Sequence, residues 1–191
     1  MKMKKSAVFF ALLSAYSLNV LAAEMNAGTI HFTGEIIEPS CVIDGDNGTD
    51  STIPLGTWPT SLFTTVGTET DLVDVDIKLT DCPVTTEGLT SVQLTFNGPT
   101  ALTKSNTLLD VSQITTAGET AATGVGIALS PINSPTTLLA FDGSEGQVYI
   151  PLSTESTDTI QAHLQARYKS FAKEVTAGPA DADMTINILY R

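Results

Sequence analysis

Histidine and cysteine, the side chains most often used for catalysis and metal binding, number two each in these 191 residues. Both histidines, His31 and His163, fall on the polar side of alternating segments, where a solvated strand residue is the ordinary reading. No Gly-Xaa-Ser-Xaa-Gly elbow, phosphate-binding loop or metal-spaced His/Cys cluster occurs. The segment from Asp44 to Asp50 imitates a calcium loop. However, Gly48 stands where the fifth-position oxygen ligand belongs and Leu55 where the closing Glu is needed, so a turn between strands is the better reading. Nothing here supports an enzyme, a metal or an organic cofactor.

Positive charge is scarce as well. Nine Lys and Arg face 21 Asp and Glu, a net charge of −12, which argues against nucleic acid and anionic lipid surfaces. Aromatic residues make up 6% of the chain and there is one tryptophan. Trp58, within Pro54-Leu55-Gly56-Thr57-Trp58-Pro59, reads as a core or edge residue rather than a platform for a sugar. Apolar runs are confined to the first two dozen residues, and beyond them no extended stretch keeps a helical period.

What is present begins with an address. Lys2, Lys4 and Lys5 precede the run from Ala7 to Leu13, with small residues following at Ala22 and Ala23. Residues 1–22 are predicted to be a secretory signal peptide cleaved after Ala22. Ser14, Ser17 and Asn19 interrupt the run before it reaches the roughly 20 apolar residues that a membrane span needs. Its removal leaves roughly 170 residues, enough for one domain with its own core. In an exported chain the isolated pair Cys41 and Cys82 is expected to form one structural disulfide. Closing that loop of about forty residues stabilises the fold by roughly 4 kcal/mol in the chain-entropy model.

The middle of the chain alternates with a period of two. Val73, Val75, Ile77 and Leu79 interleave with Asp74, Asp76, Lys78 and Thr80. Further alternating sets are Val92–Leu94–Phe96, Val125–Ile127–Leu129, Val148–Ile150–Leu152 and Ile160–Ala162–Leu164–Ala166–Tyr168. Turn residues such as Asn97-Gly98-Pro99 and Asp142-Gly143 separate them. Short strands at this spacing predict an all-β antiparallel sandwich or barrel. The last strand runs to the end of the sequence, with Met184, Ile186, Ile188 and Tyr190 on one face and Arg191 after them. An apolar strand at a terminus calls for a partner, either in its own sheet or from a second protein.

At the other end, Gly28, Ile30, Phe32, Gly34 and Ile36 share one face. By itself this is a first strand packed in its own sandwich. Taken with the rest, the chain resembles the subunits of type 1-like fimbriae assembled by the chaperone–usher pathway. The resemblance rests on four features in order: Gly-Thr-Ile-His-Phe-Thr-Gly-Glu (28–35) ahead of Cys41; Leu79-Thr80-Asp81-Cys82; Gln165-Ala166-Arg167-Tyr168; and an alternating final strand with Tyr190 as its penultimate residue.

That resemblance implies an incomplete immunoglobulin-like sandwich, residues 38–191, completed by a donated strand. Residues 23–37 are then the donor extension, with Ile30 and Phe32 as pocket fillers, Gly28 at the narrowest part of a neighbour's groove, and Gly34 on the same face. Met184, Ile186, Ile188 and Tyr190 would border the receiving groove, and basic groups of a periplasmic chaperone would hold the carboxylate of Arg191. The implied partners are that chaperone, an outer-membrane usher and neighbouring subunits of an adhesive surface fimbria. One departure is the cationic side chain of Arg191, which gains nothing beside basic groups and is expected to point to solvent. Without room for an added lectin domain, a shaft or adaptor subunit is implied. The alternative is a free-standing exported β-sandwich that binds a sugar or surface ligand.

Overall fold

A computed structural model describes residues 29–34, 36–38, 40–112 and 120–191, so the predicted signal peptide and Gly28 lie outside the described residues. One compact unit runs from Gly34 to Arg191. It is all-β, apart from a single 3-10 turn at Thr60–Leu62, among the described residues. Eight strands follow in order: β1 (Val42–Ile43), β2 (Val73–Thr80), β3 (Ser91–Asn97), β4 (Leu109–Asp110), β5 (Val125–Pro131), β6 (Val148–Pro151), β7 (Ile160–Ser170) and β8 (Thr185–Tyr190). They make two antiparallel sheets, β1-β2-β7-β5-β4 and β6-β3-β8. This is the sandwich that the spacing of alternating segments predicts.

The pattern of each strand explains which face it buries. In β2, Val75, Ile77 and Leu79 are buried while Asp74, Asp76 and Lys78 are exposed. The facing sheet contributes Val92, Leu94 and Phe96 from β3 with Val148 and Ile150 from β6. Between the layers Leu79, Leu94, Phe96 and Phe141 are almost completely enclosed. Each such side chain contributes about 1.5–3 kcal/mol by leaving water. Across the solvent face of β2 and β7, His163 Nδ1 meets Asp76 Oδ1 at 2.6 Å, both half-exposed. His163 is therefore a solvated cross-strand partner, as its place in the alternation indicates.

Cys41 and Cys82 are bonded to each other. The first precedes β1 and the second follows β2, two strands that pair through Val42–Thr80 and Ile43–Leu79. Asp81 turns the chain with φ of 54°, a left-handed conformation that Asp tolerates better than most residues, and so returns Cys82 to its partner.

On the outer face of β7 lies a buried cation. Arg167 is 2% exposed, and its guanidinium donates to Glu69 Oε2 (2.6 Å), Ser130 Oγ (2.9 Å) and the Pro135 carbonyl (2.7 Å). Lys169 Nζ reaches the other Glu69 oxygen at 2.5 Å. The planar fork of Arg serves three acceptors at fixed angles, which an ammonium cannot do. It ties the loop after β5 and the segment before β2 onto the central strand. Burial alone would raise the Glu69 pKa, but hydrogen bonds from Lys169 and Arg167, aided by their charges, bring it below the ordinary value.

A pH dependence follows with a definite sign. A carboxyl whose folded pKa is lowered stabilises the fold fully above its unfolded pKa of about 4.3, and that contribution fades as pH falls through the folded value. Glu69→Gln should therefore lower the urea midpoint at pH 7, with the gap to the parent chain closing between pH 5 and 3. An unchanged gap across that range would show that the Glu69 charge is not what holds the loop.

Candidate functional site

The sheet β6-β3-β8 ends at β8, and the backbone there is half-used. Arg191 N–H donates to Ser91 O and Ser91 N–H donates to Arg191 O, both at 2.9 Å, which makes this a hydrogen-bonded pair. The register continues through Leu189–Gln93, Asn187–Thr95 and Thr185–Asn97. In an antiparallel ladder such pairs alternate with pairs that turn their N–H and C=O groups the other way. Ile186, Ile188 and Tyr190 therefore direct their backbone groups away from β3, towards an edge that no strand occupies among the described residues. The same three residues place apolar side chains, half-buried, against the core.

Beside that edge lies an open groove of about 720 Å³. One wall is formed by Ala182 to Ile186 and the other by Thr49 to Ile53 with Leu55. Its floor is the interior of the first sheet: Val75 and Ile77 of β2, Ile127 and Leu129 of β5, and Ala166 of β7. A completed sandwich would cover these side chains with a strand. Here the space is a trough, apolar at the bottom and flanked by unpaired backbone.

Local chemistry fixes the chain at both ends of the last strand. At one end, Cys41 N–H donates to the Tyr190 hydroxyl at 3.0 Å, so the disulfide-linked segment is tied to the last strand. At the other, Asp181 and Ser112 exchange backbone hydrogen bonds at 3.0 and 2.7 Å. Gly98 sits where a Cβ would run into the Leu109 side chain, and the turn after β3 there passes within contact distance of Asp183 and Met184 at the start of β8.

Of the sequence-predicted edge residues, Met184 and Ile186 line this groove. Met184 immediately precedes β8, while Ile186, Ile188 and Tyr190 line its core side. Arg191 carries the chain end, and its side chain is half-exposed but not free: it forms an ion pair with Glu145, and its Nε faces Gln93 Oε1 at 3.4 Å. In the N-terminal segment, Thr29 to Thr33 joins no strand, and Ile30 and Phe32 are 78% and 92% exposed. Gly34 has open space where a Cβ would be.

A second cavity, of about 340 Å³, is bordered by Trp58, Phe63, Val125, Tyr168 and the 175–181 segment. Trp58 Nε1 donates to Leu55 O at 2.9 Å, and the Tyr168 hydroxyl donates to Ala180 O at 3.0 Å. Burial first, and the nearby Asp181 charge second, raise the Tyr168 pKa. Both aromatic polar groups are thus spent on the fold, which fits Trp58 as a structural residue. Among the described residues, no group of three or more His, Cys, Asp or Glu is arranged to hold a metal.

The far wall of the groove, Thr49 to Leu55, was not among the sequence-predicted residues. It is irregular and carries no periodic signal. Its only local cue was the Asp44–Asp50 turn, where Gly48 adopts φ of 69° and Gly45 N–H donates to Gly48 O at 2.8 Å.

Comparison with known proteins shows the family and the fold. The model of the fimbrial protein family matches residues 30–191. The type-1 fimbrial protein subunit of Serratia marcescens is 36% identical over 180 residues, covering 94% of this chain and 93% of the relative. The uncharacterized fimbrial-like protein SfmA of Escherichia coli K12 is 33% identical over 189 residues, covering 97% and 94%. Among solved structures, the P pilus rod subunit PapA superposes with a TM-score of 0.60 at 25% identity, covering 80% of this chain and 99% of that one. With the immunoglobulin-like sandwich, the disulfide and the final strand all in place, this chain belongs to the fimbrial protein family, as a subunit of the chaperone–usher type.

Proposed function

We propose that this chain is a polymerising fimbrial subunit whose groove beside β8 is filled twice by strands from other molecules. During export a periplasmic chaperone lends a strand. In the fibre, after handover at an outer-membrane usher, residues 23–37 of a neighbouring subunit take its place. The observation that carries this reading is the coincidence of two needs on one edge. Among the described residues, the outward backbone groups of Ile186, Ile188 and Tyr190 lack a ladder, and the apolar trough beside Ile186 lacks a lid. Only an added strand satisfies both, because its backbone pairs while alternate side chains fill the pockets.

The chain also carries a segment suited to that task. Ile30 and Phe32 share a face with Ile36, interrupted by Gly34, and both are exposed outside any strand. Gly28, which is expected at the narrowest point of the groove, lies outside the described residues. Each apolar side chain delivered to the groove stabilises the assembly by about 1.5–3 kcal/mol. That one relative is a rod subunit supports a place in the shaft of a cell-surface fimbria.

Two outcomes follow. Tyr190→Ser removes an aromatic side chain packed on the core beside the open edge and repositions the hydroxyl that accepts from Cys41 N–H, so chaperone co-purification should fall at least tenfold, which corresponds to about 1.4 kcal/mol. Normal recovery with the chaperone would count against the groove as the capture site. Deleting Glu24 to Thr33 should leave chaperone capture intact but stop fibre growth, since the subunit could accept a strand and not offer one. Electron microscopy showing long fibres from that variant would rule out donation by this segment.

A further inference from the structure

Two Asn-Gly pairs occur in the chain, Asn47-Gly48 and Asn97-Gly98. In such a pair the side-chain amide carbon is one five-membered ring closure away from the next backbone nitrogen, and glycine has no Cβ to obstruct it. Whether the ring forms depends on what else holds the two groups.

The structure separates the two pairs. Gly98 N–H donates to Phe141 O at 3.0 Å, and a Cβ on Gly98 would run into Leu109. Asn97 ends β3, paired with Thr185, and its side-chain oxygen lies 2.9 Å from where a Cβ of Gly143 would stand. That pair is clamped. Asn47 and Gly48, in contrast, are both exposed in the turn that imitates a calcium loop. Across the Gly45–Gly48 bridge only Gly45 N–H reaches its acceptor, Gly48 O, at 2.8 Å. Gly48 N–H and the Asn47 side-chain amide have no hydrogen bond of proper geometry among the described residues. Nothing comes within 4 Å of the Cβ position of Gly48.

We propose that Asn47 is a self-modification site beside the wall of the groove. Gly48 N attacks the Asn47 side-chain carbon. The N–Cγ bond forms, the Cγ–Nδ2 bond breaks, and the Gly48 proton leaves with the amide nitrogen as ammonia. Water then opens the cyclic imide. Cleavage at Cγ gives Asp, and cleavage at the main-chain carbonyl gives isoaspartate, whose backbone runs through the former side chain.

Either product matters to the groove. The turn is closed by Asn47 N–H to Asp50 O at 3.0 Å and Asp50 N–H to Asn47 O at 3.3 Å, and it leads into the wall from Thr49 to Ile53. Isoaspartate adds a methylene to the backbone inside that closure. Both products add a carboxylate to a turn that already carries Asp44, Asp46 and Asp50, where like charges repel. A subunit that waits with its groove empty thereby loses strand uptake with time. That consequence rests on the strand-capture reading above; the modification itself does not.

The test incubates the full exported chain at mildly alkaline pH and maps its peptides by mass, with a synthetic peptide of residues 44–52 as the unfolded control. The amide-to-acid mass gain, with isoaspartate, should accumulate at Asn47, and Asn97 should convert at least about tenfold more slowly because its groups are held in the folded sheet. Asn47→Gln, which would need a six-membered ring, should abolish the gain. After conversion, uptake of a peptide with the sequence of residues 23–37 should fall about threefold or more, whereas the Asn47→Gln chain aged in the same way keeps its uptake. No gain at Asn47 while the control peptide converts, or an equal gain at Asn97, overturns the site. Undiminished uptake by the converted chain overturns its effect on the groove. A fresh chain that takes up no peptide counts instead against strand capture, and the mass map still decides the modification.

Discussion

The rest of the structure depends on the edge at β8, which no strand occupies among the described residues. Backbone donors and acceptors must find partners when an apolar surface is covered, and β8 can satisfy only alternate residues through β3. Its other row faces a trough floored by Val75, Ile77, Ile127 and Leu129. A soluble protein normally covers such an edge or blunts it with charge. This one leaves it apolar along Ile186, Ile188 and Tyr190, and frames it with a disulfide at one end and a backbone bridge at the other.

The sandwich is also cross-linked by hydrogen bonds remote from the groove. Arg167 gathers Glu69, Ser130 and the Pro135 carbonyl onto the middle strand of the larger sheet, and Tyr168, the next residue, points inward to hold the Ala180 carbonyl. Adjacent residues on one strand thus pin the outside and the inside of the fold. The segment anchored by Tyr168 leads directly through Asp181 into β8, so the alignment of the open edge is set partly by the Arg-Tyr pair of β7. In physical terms, the resemblance carried by Gln165 to Tyr168 marks a packing device.

The strands were legible because their alternation is strict. The valines, isoleucines and leucines of β2, β3, β5 and β7 lie at the predicted positions on the core side, since a period of two leaves only one way to bury them. β1 and β4, of two residues each, were not legible, because so short a segment has no period to read. The Glu69 partnership of Arg167 joins residues 98 apart, and no local signal announces it. The same holds for Glu145 and Arg191, which are brought together only by the pairing of β6 and β8 on either side of β3. The groove was half-visible: its β8 wall shows in the sequence as an apolar terminal strand, and its Thr49–Leu55 wall does not.

Site-resolved amide exchange along β8 tests the central claim most directly. In the isolated subunit, the amides of Ile186, Ile188 and Tyr190 should exchange with solvent far faster than those of Asn187, Leu189 and Arg191, which donate to β3. Adding a peptide with the sequence of residues 23–37 should slow the first set to the level of the second. Equal protection of both sets in the free subunit, or an exchange pattern that the peptide leaves untouched, would contradict an acceptor edge that waits for a donated strand.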